Sequence, residues 1–232
     1  MTGLIGATEG EIRHLVAALA DAKTETHLGM TFYTGTLVGE PVVITRAGVG
    51  KVNAALAAGT ILLLYHPDRL INTGVAGALA EDLRQGDVVI ATSLVEYDMD
   101  TTPLGEPRGL LSVGGKELVE LPTDADMAAA LTRAAGACGE TPHLGMIATG
   151  DRFVAGADAK AAILRDFPAL ACEMEGAAIA HAAYAAGTPV AVLRVISDSA
   201  DGSAQLDYPT FAGIAAEKCQ RVVCTCLASL HG

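Results

Sequence analysis

No stretch of this 232-residue chain is long and apolar enough to cross a bilayer, although half of its residues are hydrophobic. The best candidate, 61–65 with its Ala-rich approach, contains Gly59 and Thr60 and stops at His66 and Asp68. A membrane-spanning helix needs ~18 or more apolar residues. Met1 leads into Gly3-Leu4-Ile5-Gly6 with no basic segment and no cleavage pattern, so no signal peptide and a cytoplasmic location are expected. Positive charge is scarce: 15 Lys and Arg stand against 27 Asp and Glu, for a net charge of −12. Such a chain repels DNA and RNA backbones and carries no basic patch, which excludes nucleic acid as an expected partner but leaves a small nucleoside open. A disulfide framework is also missing. Cys138, Cys172, Cys219, Cys224 and Cys226 are odd in number and scattered, and are read as reduced structural thiols.

Two phosphate-binding signatures fail. Gly48-Val49-Gly50-Lys51 has Thr45 where a P-loop needs its first Gly, and Val52 where Ser or Thr binds magnesium. The first strand–helix turn holds no GxGxxG. The six histidines make no metal-ligand pattern, so neither a metal nor a cofactor is expected. His181, on an apolar helix face, is read as a satisfied core residue. Internal repeats and low-complexity tracts are lacking too.

What the chain does have is alternation. Strands are expected at 3–7, 30–38, 41–47, 69–73, 87–94, 141–149 and 189–196. Helices are expected at 9–21, 51–66, 124–136, 158–165, 173–186 and 208–230. Segment 102–115 reads as one long functional loop. This order predicts one α/β domain over 1–232, with a central mixed, mostly parallel sheet flanked by helices. Ligands of open α/β sheets bind at the carboxyl ends of the strands. Those ends carry Gly6-Ala7-Thr8-Glu9-Gly10-Glu11, Ala47-Gly48-Val49-Gly50-Lys51, Asn72-Thr73-Gly74-Val75-Ala76-Gly77, Thr149-Gly150-Asp151 and Ser197-Asp198-Ser199-Ala200-Asp201.

Each acidic motif has a plain explanation. Glu9 and Glu11 open a helix, where carboxylates complement the dipole by a few tenths up to ~1 kcal/mol. Glu173 and Glu175 do the same before 177–186, but few other polar groups surround them, so they need partners. Arg194 lies in the apolar strand 190–196 and requires a buried carboxylate.

Taken together, the motifs Ile5-Gly6-Ala7-Thr8-Glu9-Gly10-Glu11, Gly48-Val49-Gly50-Lys51-Val52, Asn72-Thr73-Gly74, Ala76-Gly77, Gly150-Asp151-Arg152-Phe153, Glu173-Met174-Glu175 and Arg194-Val195-Ile196-Ser197-Asp198 resemble, nearly end to end, the 5′-methylthioadenosine/S-adenosylhomocysteine nucleosidases of the purine nucleoside phosphorylase superfamily. The resemblance implies roles. Asp198 would protonate purine N7 and Glu11 would deprotonate the attacking water. Glu175 would hold the ribose hydroxyls, Met174 would pack under the sugar, and Phe153 would lie beside the adenine. Val154 would offer backbone groups to the purine edge. Arg194 would orient the acids, and Val49 and Tyr208 would line the sugar and 5′ pocket. Ser197, Val75 and Gly77 complete the implied site. A homodimer with shared active sites is implied as well. Two positions depart from the family pattern: Thr8 stands where Met is familiar and Val75 where Ser is, removing a hydroxyl near the water. Segment 96–105 keeps the acidic spacing but differs in its apolar residues, which leaves the 5′ substituent open. Three further readings remain: a phosphate-dependent phosphorylase, an aminodeoxyfutalosine or futalosine hydrolase, and a nucleoside-binding module without turnover.

Overall fold

The computed structural model describes residues 1–200 and 204–230; the side chains of 204–210 and 212 lie outside the described residues. The elements run β1 (Thr2–Gly6), α1 (Glu9–Ala17), β2 (Ala20–His27), β3 (Met30–Leu37), β4 (Glu40–Arg46), α2 (Lys51–Tyr65), β5 (Arg69–Ala78), β6 (Val88–Glu96), β7 (Leu111–Val113), β8 (Lys116–Leu118), β9 (Leu121–Pro122), α3 (Ala125–Ala137), β10 (His143–Thr149), α4 (Ala157–Asp166), β11 (Ala169–Glu173), α5 (Gly176–Ala186), β12 (Val190–Asp198) and α6 (Ala204–Ser229).

Successive side chains on a strand point to opposite faces, and here each face meets its own helices. Ile5, Val43, Leu70 and Val192 pack with Ala54, Ala57, Ala58 and Ile61 of α2 and Ala177, Ile179, Ala180 and Ala183 of α5. Their neighbours Leu4, Ile44, Ile71 and Leu193 pack on the other side with Ile12 and Leu15 of α1, Met127 and Leu131 of α3, and Val222 and Val223 of α6. Burying each large side chain contributes ~1.5–3 kcal/mol. The central strands are therefore buried on both faces, which is why they read as continuous apolar runs.

The sheet order is β11-β10-β6-β12-β5-β1-β4-β3-β2. Parallel pairs join β1 to β4 and β5, β5 to β12, and β10 to β6 and β11. Antiparallel pairs join β12 to β6, β11 to β5, and β2, β3 and β4 in succession. Because β11 also pairs with β5, strands β5-β12-β6-β10-β11 close on themselves. The carboxyl ends of β1, β5, β11 and β12 meet at one cavity.

Three expectations need correction. The helix placed at 9–21 ends at Ala17, and Ala20–His27 forms an edge strand. The helix placed at 173–186 begins at Gly176, because Ala169–Glu173 is a strand between β10 and β5. Segment 102–115 is not one loop: it contains a 3-10 turn at Thr102–Leu104 and half of the β7–β8 hairpin, whose turn is Gly114-Gly115.

Candidate active site

Glu11 is built into the start of α1. At the third position of the helix it folds back, and its Oε2 accepts from the N–H groups of Ala7 at 2.7 Å and Thr8 at 2.8 Å. From the neighbouring strand the Val75 N–H reaches Oε1 at 3.1 Å. A carboxylate offers about four lone-pair positions. Three are filled, so one position on Oε1 remains for a further donor. Glu11 is buried at 8% exposure, yet it lines the cavity. Gly74 permits this approach: a Cβ there would stand 2.5 Å from Glu11 Oε1. Glu9, two residues earlier, is exposed and does not line the cavity.

Glu173 ends β11 and faces inward. Its Oε2 accepts the N–H groups of Glu175 at 3.0 Å and Gly176 at 2.7 Å, and the Thr149 hydroxyl donates to Oε1. The Arg194 guanidinium, 2% exposed, donates to Glu173 Oε2 and to Asn72 Oδ1. Burial works against that charge, but Glu173 first, then Glu11 and Glu175, keep the guanidinium pKa raised. The partner that Arg194 needed is thus Glu173. Arg194 stands behind the cavity rather than in its wall, and its charge is committed.

Glu175 caps α5 and points into the cavity, with Oε1 accepting from the Gly50 N–H at 2.8 Å. Burial, then the neighbouring Glu173, pushes its pKa up to about 8; Glu11 adds to the rise, while the Gly50 N–H and Arg194 oppose it. Burial and Glu173 thus favour its protonated form.

Asp198 ends β12 at 3% exposure. The register between β12 and β5 slips between Ile196 and Asp198, so Asp198 pairs with Gly77; such bulges re-aim side chains beside active sites. The Ser197 hydroxyl donates to Asp198 Oδ2 at 2.8 Å, and the Ala200 N–H donates to Oδ1 at 2.9 Å.

These groups share a cavity of about 370 Å³. Its wall includes Glu11, Val49, Val75, Gly77, Phe153, Val154, Met174, Glu175, Ser197 and Asp198, so the structure brings together ten of the sequence-predicted residues. Arg194 lies behind it, and the Tyr208 side chain is outside the described residues. Val49 and Phe153 are about half exposed, at the mouth. Sequence reasoning missed Ala7, Thr8, Ala76, Arg152, Cys172 and Glu173 as wall residues. For Glu173 a signal existed, since a buried Arg194 demanded a carboxylate. His181 is half-buried and satisfied, with Nδ1 3.3 Å from Glu96 Oε1. All five cysteines are free. Among the described residues, no group of His, Cys, Asp or Glu is arranged to hold a metal ion, and no helix is long and apolar enough to cross a membrane.

Four acids line the wall; with Glu173 committed to Arg194, the other three, Glu11, Glu175 and Asp198, can donate a proton on one side of a bound molecule and accept one on the other. They can also stabilise positive charge between them. The sequence profile described as Phosphorylase superfamily matches residues 2–228, and the chain belongs to that superfamily. A 5′-methylthioadenosine/S-adenosylhomocysteine nucleosidase of Shewanella baltica is 38% identical over 211 residues, covering 90% of this chain and 88% of the relative. The Streptococcus pneumoniae nucleosidase with the transition-state inhibitor MT-ImmA superimposes at TM-score 0.92, with 38% identity over 99% of each chain. The Neisseria meningitidis nucleosidase with methylthio-immucillin-A gives 0.94, with 35% identity over 98% of each. Within the superfamily, the chain belongs to the 5′-methylthioadenosine/S-adenosylhomocysteine nucleosidase family. A futalosine hydrolase mutant of Helicobacter pylori is similar as well, at 27% identity and TM-score 0.94 over 98% of each chain.

Proposed function

We propose that this chain is an N-glycosyl hydrolase that splits 5′-substituted adenosines into adenine and the free 5′-substituted ribose, with water as nucleophile. Loss of the base leaves positive charge on the sugar and sends an electron pair to the purine. Asp198 protonates purine N7 and meets the exocyclic amine, so that the base leaves neutral. Glu175 holds the ribose hydroxyls beside the sugar carbon on which positive charge develops. Glu11 presents its one open lone pair to a water and takes the proton as the water attacks. Met174 packs under the sugar, Phe153 lies beside the adenine, and Val154 meets the purine edge with its backbone. Val75, Val49 and Tyr208 line the water, sugar and 5′ side.

One observation carries the choice of water over phosphate. Phosphate is best held by free amides at a helix N-terminus and by unpaired Arg. Here the Ala7, Thr8 and Val75 N–H groups are already taken by Glu11, and Arg194 is taken by Glu173.

The site is further proposed to be completed by a second copy of the chain, in the cytoplasm. Val52, Leu56 and Leu63 lie along one face of α2 and are 47–74% exposed, beside Leu28 at 73%. Contiguous exposed apolar surface of this kind fits a subunit interface. The direct test of the activity is adenine release from methylthioadenosine, with inosine and aminodeoxyfutalosine as comparisons. Adenine nucleosides are expected to be cleaved at least 10²-fold faster than inosine, since an acid that also accepts from a 6-amino group rejects a 6-oxo one. Equal rates on inosine would refute the base assignment.

A further inference from the structure

Lys160 lies in the first turn of α4, where a cation opposes the helix dipole by a few tenths up to ~1 kcal/mol. The residue is half-buried and forms no salt bridge among the described residues. Its ammonium instead donates to two backbone carbonyls, Ala78 O at 2.8 Å and Ser199 O at 3.1 Å. Those carbonyls bracket Asp198. Ala78 follows Gly77, the β5 residue in register with Asp198, and Ser199 follows Asp198 directly. Beyond Ser199, Ala200 holds the Asp198 carboxylate through its N–H and sits at φ +51°. A non-glycine residue keeps that conformation at a cost, so its surroundings must hold it.

We propose that Lys160 is a positioning residue for the acid step: it clamps the turn that carries Asp198 and fixes a positive charge beside it. The proposal rests on the reading of Asp198 as the acid. In that step the Asp198 O–H proton passes to N7, and the C1′–N9 bond breaks with its electron pair going to the purine. Asp198 is left as a carboxylate, and the attacking water gives its proton to Glu11. A fixed ammonium favours the Asp198 anion as it forms.

Among the described residues, the other charged or titratable groups around Asp198 do not supply that charge. Cys172 and Glu173 come from β11, Glu11 from α1, and Glu175 from the cap of α5. Arg194 is committed to Glu173, and Arg152 is exposed at the edge of the cavity. The charge of Lys160 acts on a wall residue: burial, Asp198 and Glu173 drive the Cys172 thiol pKa up, and Lys160 opposes them.

The test is Lys160→Met, with Lys160→Arg and Asp198→Asn alongside. A general acid fails when it deprotonates, so removing a neighbouring cation raises its pKa and moves the alkaline limb of kcat to higher pH. Lys160→Met is expected to lower kcat about 10- to 10²-fold with KM changed less than about threefold, and to shift that limb upward. Lys160→Arg is expected to restore the limb and most of the rate. In the Asp198→Asn background, Lys160→Met is expected to cost nothing further. Wild-type kcat in Lys160→Met, or a lowered kcat with an unmoved limb and a lowered Tm, would overturn the proposal while the acid assignment stands. Full activity in Asp198→Asn alone would overturn the acid assignment, and the proposal with it.

Discussion

At the scale of single residues, Glu11 and Glu175 are both buried carboxylates, yet the structure treats them oppositely. Glu11 receives three N–H donors, and Glu175 receives one and faces Glu173. Glu11→Gln keeps an acceptor oxygen and the shape but removes the base. It is expected to lower kcat ~10²- to 10⁴-fold with little change in substrate affinity; steady-state kinetics with an equilibrium binding measurement decide this. Glu175 gives a prediction about stability. Its carboxyl goes from an ordinary value of 4.5 to about 8 on folding, so between those values the folded state binds more protons than the unfolded chain. Its contribution is fully present below about pH 4.5 and is lost as pH rises through about 8. Glu175→Gln cannot ionise and escapes that loss. Relative to wild type, the variant is expected to be unchanged in urea unfolding near pH 5 and more stable, by up to about 5 kcal/mol, above pH 8. Parallel pH–stability curves for the two proteins would contradict this. The acids themselves were legible in the sequence, since each stands at a strand end or a helix start in an α/β pattern. Which of Glu173 and Glu175 would take Arg194 was not, because two carboxylates two residues apart are separated only by the turn from β11 into α5.

At the scale of elements, the close approach of β5 to α1 makes the base. A methyl group at Gly74 would meet only the far end of the Glu11 side chain, at 2.5 Å. That end can swing aside at small cost in stability but not without losing its place. Gly74→Ala is therefore expected to fold with Tm within a few degrees of wild type, while kcat falls about 10²-fold or more. Thermal unfolding and kinetics on one preparation separate the two effects; wild-type turnover would show that Glu11 need not be held there. Elements with strong patterns were read correctly, including α2, β12 and the β3–β4 hairpin. The misses share a cause. Strand β2 carries Ala-Asp-Ala-Lys-Thr-Glu-Thr-His, almost wholly exposed, with no apolar alternation to see; it forms because β3 offers it a free edge. Strand β11 is a short Ala-Leu-Ala-Cys-Glu run flowing into an Ala-rich helix, and only the gap between β10 and β5 makes it extended. The β7–β8 hairpin did carry a local signal. Gly114 and Gly115 both take positive φ, as a two-residue hairpin turn requires, and ending the expected loop at 115 cut the hairpin in half.

At the scale of the whole molecule, the exposed apolar face of α2 and the half-exposed Val49 at the cavity mouth both leave room for a second copy. Light scattering at assay concentration is expected to show a dimer, and an active monomer would remove the shared-site proposal. The proposed chemistry reduces to one question, whether the nucleophile is water or phosphate. An anion arriving within ~5 Å of the Glu11 carboxylate meets roughly 1 to 3 kcal/mol of repulsion at intermediate effective dielectric, whereas a neutral water meets a hydrogen-bond acceptor. The most direct measurement is adenine release from methylthioadenosine with and without phosphate in the buffer, with the sugar product identified. A rate independent of phosphate, together with a free reducing sugar, is the expected result; a strict phosphate requirement with a sugar 1-phosphate product would contradict it.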